Sequence, residues 1–334
     1  MWPPSATDED RDLLEQARAL CGSAAPMEFT ESALRTLATT KGIDLATTVL
    51  YDHFRGSSVH STFIHGVETS EGGHPKDLAP RIIVMPGAFH VEHPGTGANG
   101  SRVMELAGAL GWPAERIAVP SLAPMDDNAA ALAEHLARRP GRPAVLVSLS
   151  KGSADVCAAL KRPNAARELR DVRAWVSLSG IVSGTPLVEW LRLRRLRCLG
   201  VRLLLRLRGQ RFAALDELRR GPGSPLAAPP MLPSGMRAIH VLAFPLVRYL
   251  SNDWARRGHA RLSSLGPNDA GGILLADAVN LPGHVYPVWA ADHYLRPAWD
   301  IQPLLLKVLL EAARPREDVP LASSVLAGPP AGPL

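Results

Sequence analysis

A serine lies where a short apolar run gives way to a helical pattern. Ser150 is the middle residue of the pentapeptide SLSKG at 148–152, which follows the apolar run VLV at 145–147. A strand, a sharp turn and a helix in this order expose the side chain of the central turn residue, and the turn requires small residues two positions before and after it. Ser148 and Gly152 meet this requirement. Ser150 is therefore a candidate nucleophile, and a plain strand-to-helix cap is the simpler alternative.

A serine nucleophile needs two partners. Its hydroxyl requires a base within about 2.6–3.2 Å, and imidazole fits this role because its pKa lies near 7. His293 follows an apolar run and is the candidate base, whereas His284 precedes the same run and would point to the other end of a sheet. A buried carboxylate would fix the histidine tautomer. Asp269 is the candidate acid; if it only forms a turn, Asp277 takes its place, and Asp292 is expected to face solvent.

The elements that must position these residues follow a regular pattern. From residue 81 onward, continuous apolar runs alternate with helical patterns, which is typical of an α/β protein with a mostly parallel sheet and helices on both faces. The predicted strands span 82–85, 116–119, 144–147, 174–178 and 283–289, and the predicted helices span 101–110, 127–138, 153–160 and 301–313. Ligand sites in such sheets collect outside the carboxyl ends of the strands, where we expect Ser150 and His293 to meet.

The same patterns divide the chain into four regions. Residues 1–73 are predicted to form an N-terminal helical extension, with helical patterns at 10–20 and 31–40, a third apolar-periodic segment at 44–54 and a short alternating stretch at 62–67. The alternating strands and helices form the core at 74–183 and 259–315. Residues 184–258 interrupt this alternation as an insertion, and residues 316–334 are rich in Pro, Ala and Gly and form a loose tail.

Four segments of the chain together resemble the α/β-hydrolase family, particularly its bacterial lipase-like and esterase-like members. They are MPGAF at 85–89, SLSKG at 148–152, GPND at 266–269 followed by a glycine pair at 271–272, and WAADH at 289–293. The resemblance covers roughly residues 81–313, and the order serine, aspartate, histidine is the one that this fold uses. The chain departs from the family pattern at Ser148, where the elbow usually has glycine, and at Ala270, which separates the acid from its glycine.

The resemblance implies a serine hydrolase with an inserted helical lid. It would cleave carboxylic esters with an apolar acyl chain through an acyl-Ser150 intermediate, with Asp269 and His293 completing a catalytic triad. The backbone N–H of Lys151, at the start of a helix, and that of Ala88 or Phe89 would form the oxyanion hole. Acyl transfer by the same triad, or a catalytically silent scaffold with this fold, are the alternatives.

The insertion contains a segment in which leucines and arginines alternate, at 187–211. Gly200 is expected to break this segment into two helices. One interpretation is a lid whose leucines face an acyl pocket and whose arginines contact anionic lipid headgroups. The other is an ordinary helical cap whose arginines extend to water along their apolar stems. The first interpretation makes a membrane surface a partner in addition to the lipid-like or small-molecule ester.

Composition argues against several other classes of protein. The net charge of +5 arises from 37 basic and 32 acidic residues, and aromatic residues make up only 5%, so a nucleic-acid surface with interleaved aromatics is not indicated. The N-terminal residues are acidic rather than signal-like, and no apolar run approaches the roughly 18 residues of a membrane span. We therefore expect a cytoplasmic protein, peripheral to a membrane only if the lid binds lipid.

Two short motifs suggest cofactors, but their context does not support them. The segment GTGANG at 95–100 matches a dinucleotide fingerprint, yet it does not directly follow a strand and no acidic residue closes the next one. The segment HVEH at 90–93 offers three metal ligands too close together for a typical zinc site, and it is expected to line the pocket mouth or face solvent. Three distant cysteines likewise indicate neither a disulfide framework nor a metal site. No cofactor and no metal are predicted.

Overall fold

The computed structural model describes residues 6–22, 28–70 and 79–315. The predicted loose tail at 316–334 lies outside these residues. The helical patterns at 10–20 and 31–40 are helices in the described part of the chain, and the apolar-periodic segment at 44–54 is a helix as well.

Six strands form one sheet, and every pairing between them is parallel. The strands are β1 (Arg81–Met85), β2 (Ala114–Arg116), β3 (Ala144–Leu149), β4 (Val172–Leu178), β5 (Arg237–Phe244) and β6 (His284–Trp289), in the order β2-β1-β3-β4-β5-β6. The predicted mostly parallel sheet is therefore confirmed. The prediction of a strand at 116–119 is wrong in its bounds: Ile117 still donates to the carbonyl of Val84, but the chain then leaves the sheet ahead of Pro120, which has no N–H to donate.

Thirteen α-helices accompany the sheet in the described residues. They are α1 (Asp8–Cys21), α2 (Glu31–Lys41), α3 (Ile43–Gly56), α4 (Ser58–Thr69), α5 (Ser101–Ala109), α6 (Met125–Ala137), α7 (Lys151–Leu160), α8 (Ala165–Glu168), α9 (Leu187–Arg192), α10 (Arg195–Leu207), α11 (Phe212–Asp216), α12 (Asp253–Leu262) and α13 (Gln302–Ala313). Within the described ranges, none of them combines the length and apolar character needed to cross a bilayer.

Helices cover both faces of the sheet because strand residues alternate in direction. Ile83 and Leu146 point toward α1, α2, α3, α6 and α7 and belong to one apolar cluster. Ile82 and Val145 point the other way and pack with α4, α5 and α13. The first three helices thus share the core of the sheet. In α3, for example, the ring of Tyr51 packs edge-on at 4.7 Å from that of Trp289, between ring centres.

Two local predictions are wrong. The alternating stretch at 62–67 belongs to α4, in which Phe63, Ile64 and Val67 are buried in the same cluster as α13. These residues lie on one helical face, so burial on that face overrides the apparent two-residue period. Gly200 does not break the arginine–leucine segment, because α10 runs through it and the interruption comes at 193–194. A single glycine costs a helix only about 1 kcal/mol relative to alanine.

A buried ion pair joins the first turn of α7 to α6. Lys151 Nζ donates to Asp155 Oδ1 at 2.6 Å, and both side chains are only 1% exposed. Asn128 Nδ2 donates to the other carboxylate oxygen at 2.9 Å. The pair, together with Asn128, therefore ties the residue after Ser150 to the neighbouring helix.

Removing one member of this pair should destabilise the fold. Asp155→Ala leaves the Lys151 ammonium buried without its counterion, which typically costs about 3–5 kcal/mol. Urea denaturation should show a loss of this size in the free energy of unfolding. Glu168→Ala is the control, because it breaks the more exposed pair with Arg162 and should cost no more than about 1 kcal/mol. Equal losses in the two variants would contradict the assignment.

Candidate active site

The turn between β3 and α7 holds Ser150 in strained backbone geometry. Its φ is 47° and its ψ is −115°, a combination that few non-glycine residues adopt. The turn passes very close to the end of β1: a Cβ on Gly152 would lie 2.4 Å from the carbonyl oxygen of Met85 and 2.6 Å from that of Pro86. Only glycine fits at this position, as the sequence pattern predicted.

Ser148 occupies the position where a glycine was expected, and its hydroxyl is fully satisfied. It accepts a hydrogen bond from Trp175 Nε1 at 2.7 Å and bonds to Ser153 Oγ at 2.7 Å. Ser153 Oγ in turn lies 3.0 Å from Ser177 Oγ. A buried polar side chain with partners carries little penalty, which explains why the serine is tolerated here.

The structure brings Ser150, His293 and Asp269 together in one chain of hydrogen bonds. His293 Nε2 lies 3.0 Å from Ser150 Oγ, and His293 Nδ1 lies 2.5 Å from Asp269 Oδ2. Both ring nitrogens of the histidine are therefore engaged, one by a carboxylate and one by a hydroxyl. This arrangement can hold the imidazole with its proton on Nδ1 and its lone pair directed at the serine.

The loop at 266–274 holds the Asp269 carboxylate rigidly. Oδ1 accepts hydrogen bonds from the N–H groups of Gly271, Gly272 and Ile273 at 2.8–3.0 Å, while Oδ2 is left for the histidine. Burial acts to raise the pKa of Asp269, but the adjacent His293 and the N–H groups outweigh it and lower the pKa. The carboxylate therefore stays ionised.

The same carboxylate sets the protonation of the histidine. Burial is the largest single influence and disfavours the charged imidazolium, but the charge and hydrogen bond of Asp269, together with the charge of Asp292, outweigh it and raise the pKa of His293 above its ordinary value. A raised pKa makes the imidazole a better proton acceptor, provided that the pH is high enough to leave it neutral.

The glycines beside Asp269 also make room for the imidazole. A Cβ on Gly271 would lie 2.2 Å from His293 Cβ, so no larger residue fits without moving the histidine. Ala270, which separates the acid from these glycines, has a positive φ of 66°. The Asx turn of Asn268, whose side chain accepts from the N–H of Ala270 at 3.1 Å, supports that conformation.

The three residues considered as competitors lie elsewhere. Asp277 receives hydrogen bonds from the guanidinium of Arg220, the shortest at 2.6 Å, and is thus engaged away from the histidine. His284 is the first residue of β6, at the opposite end of the strand from His293. The prediction that Asp292 faces solvent is wrong: its side chain is buried and pairs with Arg296 at 2.7 Å, because it closes the turn that presents His293.

Backbone donors face the same space as Ser150. Lys151, Ala88 and Phe89 all line the pocket that contains the serine. Among the described residues, no backbone carbonyl accepts a hydrogen bond from the N–H of any of the three. Phe89 has a φ of 56°, a left-handed conformation that commonly marks functional loops. These N–H groups are available to bind a negatively charged oxygen next to Ser150.

The pocket above Ser150 is mostly apolar and has a volume of about 340 Å³. Part of its wall comes from the insertion, through side chains of α9 and α11 and the residues next to them. These are Leu187, Val188, Leu191, Leu215 and Leu218. This size and lining are typical of a small-molecule site.

Contacts within the protein hold the segment HVEH at 90–93 in a loop. His90 is buried, contrary to the prediction, because its Nδ1 bonds to the carbonyl of Gly87 at 3.0 Å. Glu92 accepts a hydrogen bond from Gln210 at 2.9 Å, which links this loop to the end of α10. In the part of the chain that the structure describes, no group of three potential metal ligands comes together.

The sequence analysis did not predict two contacts that support the site, those made by Asp155 and by Arg102. Asp155 lies four residues after Lys151, and this spacing on a predicted helix could have suggested their ion pair. Arg102, whose Nη1 donates to the carbonyl of Leu295 at 3.4 Å, ties α5 to the loop after His293. No local sequence pattern indicates this contact, because its partners are 193 residues apart.

A scan against protein-family models and a search of curated proteins found no match. Among solved structures, the chain is similar to a metagenomic carboxyl esterase, with a TM-score of 0.53 and 21% identity over 72% of this chain and 77% of that one. It is also similar to a Bacillus licheniformis lipase in its propeptide form, with a TM-score of 0.50 and 20% identity over 70% of this chain and 51% of that one. The chain thus spans about half the length of that lipase form. These similarities confirm the predicted α/β-hydrolase fold.

Substitution of Gly271 should displace the imidazole while leaving the fold intact. Gly271→Ala places a methyl group against His293, and misplacement of a reacting group by about 1 Å can cost roughly 100-fold in rate. We expect kcat/KM for a 4-nitrophenyl ester to fall by at least this factor. Gly108→Ala in α5 is the control, because nothing lies within 4 Å of its added Cβ. Full activity in Gly271→Ala would contradict the packing.

The pH dependence of ester cleavage should report the interaction between Asp269 and His293. The base must be neutral, so kcat/KM should rise with pH through the raised pKa of His293. Asp269→Asn removes the negative charge, which should move this rise to lower pH and reduce kcat by about 10⁴-fold. A pH–rate profile of both proteins measures the two effects. An unmoved profile would show that His293 does not titrate beside Asp269 during catalysis.

Proposed function

We propose that this protein is a serine hydrolase that cleaves carboxylic esters through an acyl-enzyme. The observation that carries the proposal is the chain of hydrogen bonds from Asp269 through His293 to Ser150, at the base of an apolar pocket. No cofactor or metal is needed for this chemistry. The structural similarity to a carboxyl esterase and a lipase supports ester hydrolysis at the same coarse level.

The first half of the reaction would acylate the enzyme. Ser150 Oγ attacks the ester carbonyl carbon while its proton passes to His293 Nε2, and the carbonyl oxygen becomes an oxyanion. When this intermediate collapses, the bond to the alcohol oxygen breaks and the leaving alcohol takes the proton from His293. Asp269 remains ionised and stabilises the imidazolium while it exists.

Water would complete the cycle by the same steps. His293 takes a proton from water, the hydroxide oxygen attacks the acyl carbon, and the Ser150 oxygen leaves with the proton that His293 returns. The products are a carboxylic acid and the regenerated hydroxyl. An alcohol in place of water would give a new ester, so acyl transfer uses the same residues.

The N–H groups of Lys151 and of Ala88 or Phe89 would hold the oxyanion in both halves. Each donor of this kind typically contributes about 3–4 kcal/mol of transition-state stabilisation, because it is fixed in place before charge develops. The buried pair between Lys151 and Asp155 supports this role by anchoring the start of α7.

Within the predicted insertion at 184–258, α9, α10 and α11 would act as the lid that selects the acyl group. The predicted end of the insertion is wrong, because β5 (Arg237–Phe244) pairs with β4 and β6 in the central sheet. The leucines of the lid form part of the pocket wall, which favours an apolar acyl chain. On α10, Leu196 and Leu207 are 86% and 76% exposed between arginines, a surface suited to peripheral contact with lipid. A cytoplasmic location remains a prediction from the sequence.

Covalent labelling tests the proposal. A fluorophosphonate probe should label the protein at one residue, and Ser150→Ala should abolish both labelling and the hydrolysis of 4-nitrophenyl butyrate. Ser263→Ala is the control, because this hydroxyl lies at the end of α12 and bonds to the carbonyl of His259 at 2.7 Å. Labelling that survives in Ser150→Ala would refute the assignment. A folded protein that takes up no probe would favour a catalytically silent scaffold.

A further inference from the structure

A second cleft opens next to the apolar pocket, on the outer side of the insertion. It has a volume of about 1000 Å³ and lies between α9, the start of α10 and α12. Trp190 and Arg261 line both this cleft and the pocket that contains Ser150. A single elongated molecule could therefore occupy both spaces.

Three guanidinium groups surround the indole ring of Trp190. The central carbons of Arg194 and Arg261 lie 4.1 and 4.8 Å from the ring centre, and that of Arg197 lies 5.5 Å away. Contact with an aromatic face stabilises a cation without neutralising its charge. Arg257, one helical turn before Arg261, is a fourth cation of the same cleft.

These arginines largely lack anionic partners. Within the described residues, no carboxylate lies within ion-pair distance of Arg194, Arg197 or Arg261, and Arg257 has only a 3.5 Å contact with Asp253 on its own helix. Arg194 donates to the carbonyl of Trp190 at 3.1 Å, which leaves its charge unpaired.

The other charged groups of the cleft do not cancel this excess. Arg220 is paired with Glu31 and with Asp277. Glu189 is the remaining carboxylate, and its oxygens are buried without a hydrogen-bond partner. Four cations therefore face one unpaired anion. Burial is the main cause that lowers the pKa of Arg261, and repulsion from the neighbouring arginines adds to it. The positive charges of the cleft therefore repel one another.

We propose that this arginine cleft, formed by Arg194, Arg197, Arg257 and Arg261, binds the phosphate or sulfate group of an amphiphile whose apolar chain enters the Ser150 pocket. Guanidinium groups suit such oxyanions because they donate paired, charge-assisted hydrogen bonds. The shared wall at Trp190 and Arg261 places the anion at the pocket entrance. This inference rests on the proposed function and narrows its substrate class, because the cleft selects esters that carry a negatively charged group.

Binding is measured without turnover in the Ser150→Ala protein. Calorimetry with monomeric octyl phosphate should show binding that weakens at least 10-fold in Arg197→Gln/Arg257→Gln, because these two arginines line the cleft but not the Ser150 pocket. The neutral 1-octanol probes the apolar pocket alone, and its affinity should not change. Arg256→Gln is the control, because this arginine lies on α12, outside the cleft, and is paired with Asp253.

Three outcomes would overturn the arginine cleft. Octyl phosphate that binds no more tightly than 1-octanol would remove the anion preference. Equal weakening of both ligands would indicate damage to the pocket, and equal weakening by Arg256→Gln would indicate general surface charge.

Inorganic phosphate distinguishes the two sources of the anion. If it displaces octyl phosphate at similar concentrations, the cleft serves free anions as well; if it does so only at far higher concentrations, the amphiphile is the ligand. Both results support an anion site in the cleft. Failure of ester hydrolysis together with retained octyl phosphate binding would refute the proposed function and leave the binding site standing.

Discussion

The close passage of β1 beneath the turn after β3 is the constraint on which the candidate site depends. With Gly152 pressed against the carbonyls of Met85 and Pro86, the turn can close only if Ser150 adopts a positive φ. Ser150 and Lys151, at the start of α7, line the same pocket. Ser150, Lys151 and the loop at 85–89 are thus held close together around this contact.

The buried carboxylates near the site are paired with neighbouring groups. Asp269 is stabilised by N–H groups and an imidazole, and Asp155 by an ammonium and an amide, so both oxygens of each of these two buried carboxylates have a partner. A charge that is buried with partners costs far less than one that is buried alone. The arginines around Trp190 differ from these two carboxylates, because among the described residues no carboxylate lies within ion-pair distance of Arg194, Arg197 or Arg261. An excess of this kind is more readily explained by a ligand than by stability.

Local chemistry explains how much could be read from the sequence. A few adjacent residues encode each of the three turns that carry Ser150, Asp269 and His293. These residues could therefore be chosen from the sequence, and their meeting at one edge of the sheet could be expected. Their catalytic roles remain a prediction. The fold followed from apolar runs that alternate with helical patterns. Contacts between distant segments could not be foreseen, as with Arg102 and Leu295 or the arginines of α10 and α12, because no local pattern records which helices become neighbours.

The most direct test of the account is to trap the intermediate. Mixing the protein rapidly with 4-nitrophenyl butyrate, quenching in acid and measuring the mass of its peptides should reveal one butyryl group on the peptide that contains Ser150. The adduct should form together with a burst of 4-nitrophenol. A butyryl group on another residue, or turnover with no adduct at any quench time, would contradict the claim that Ser150 is the nucleophile.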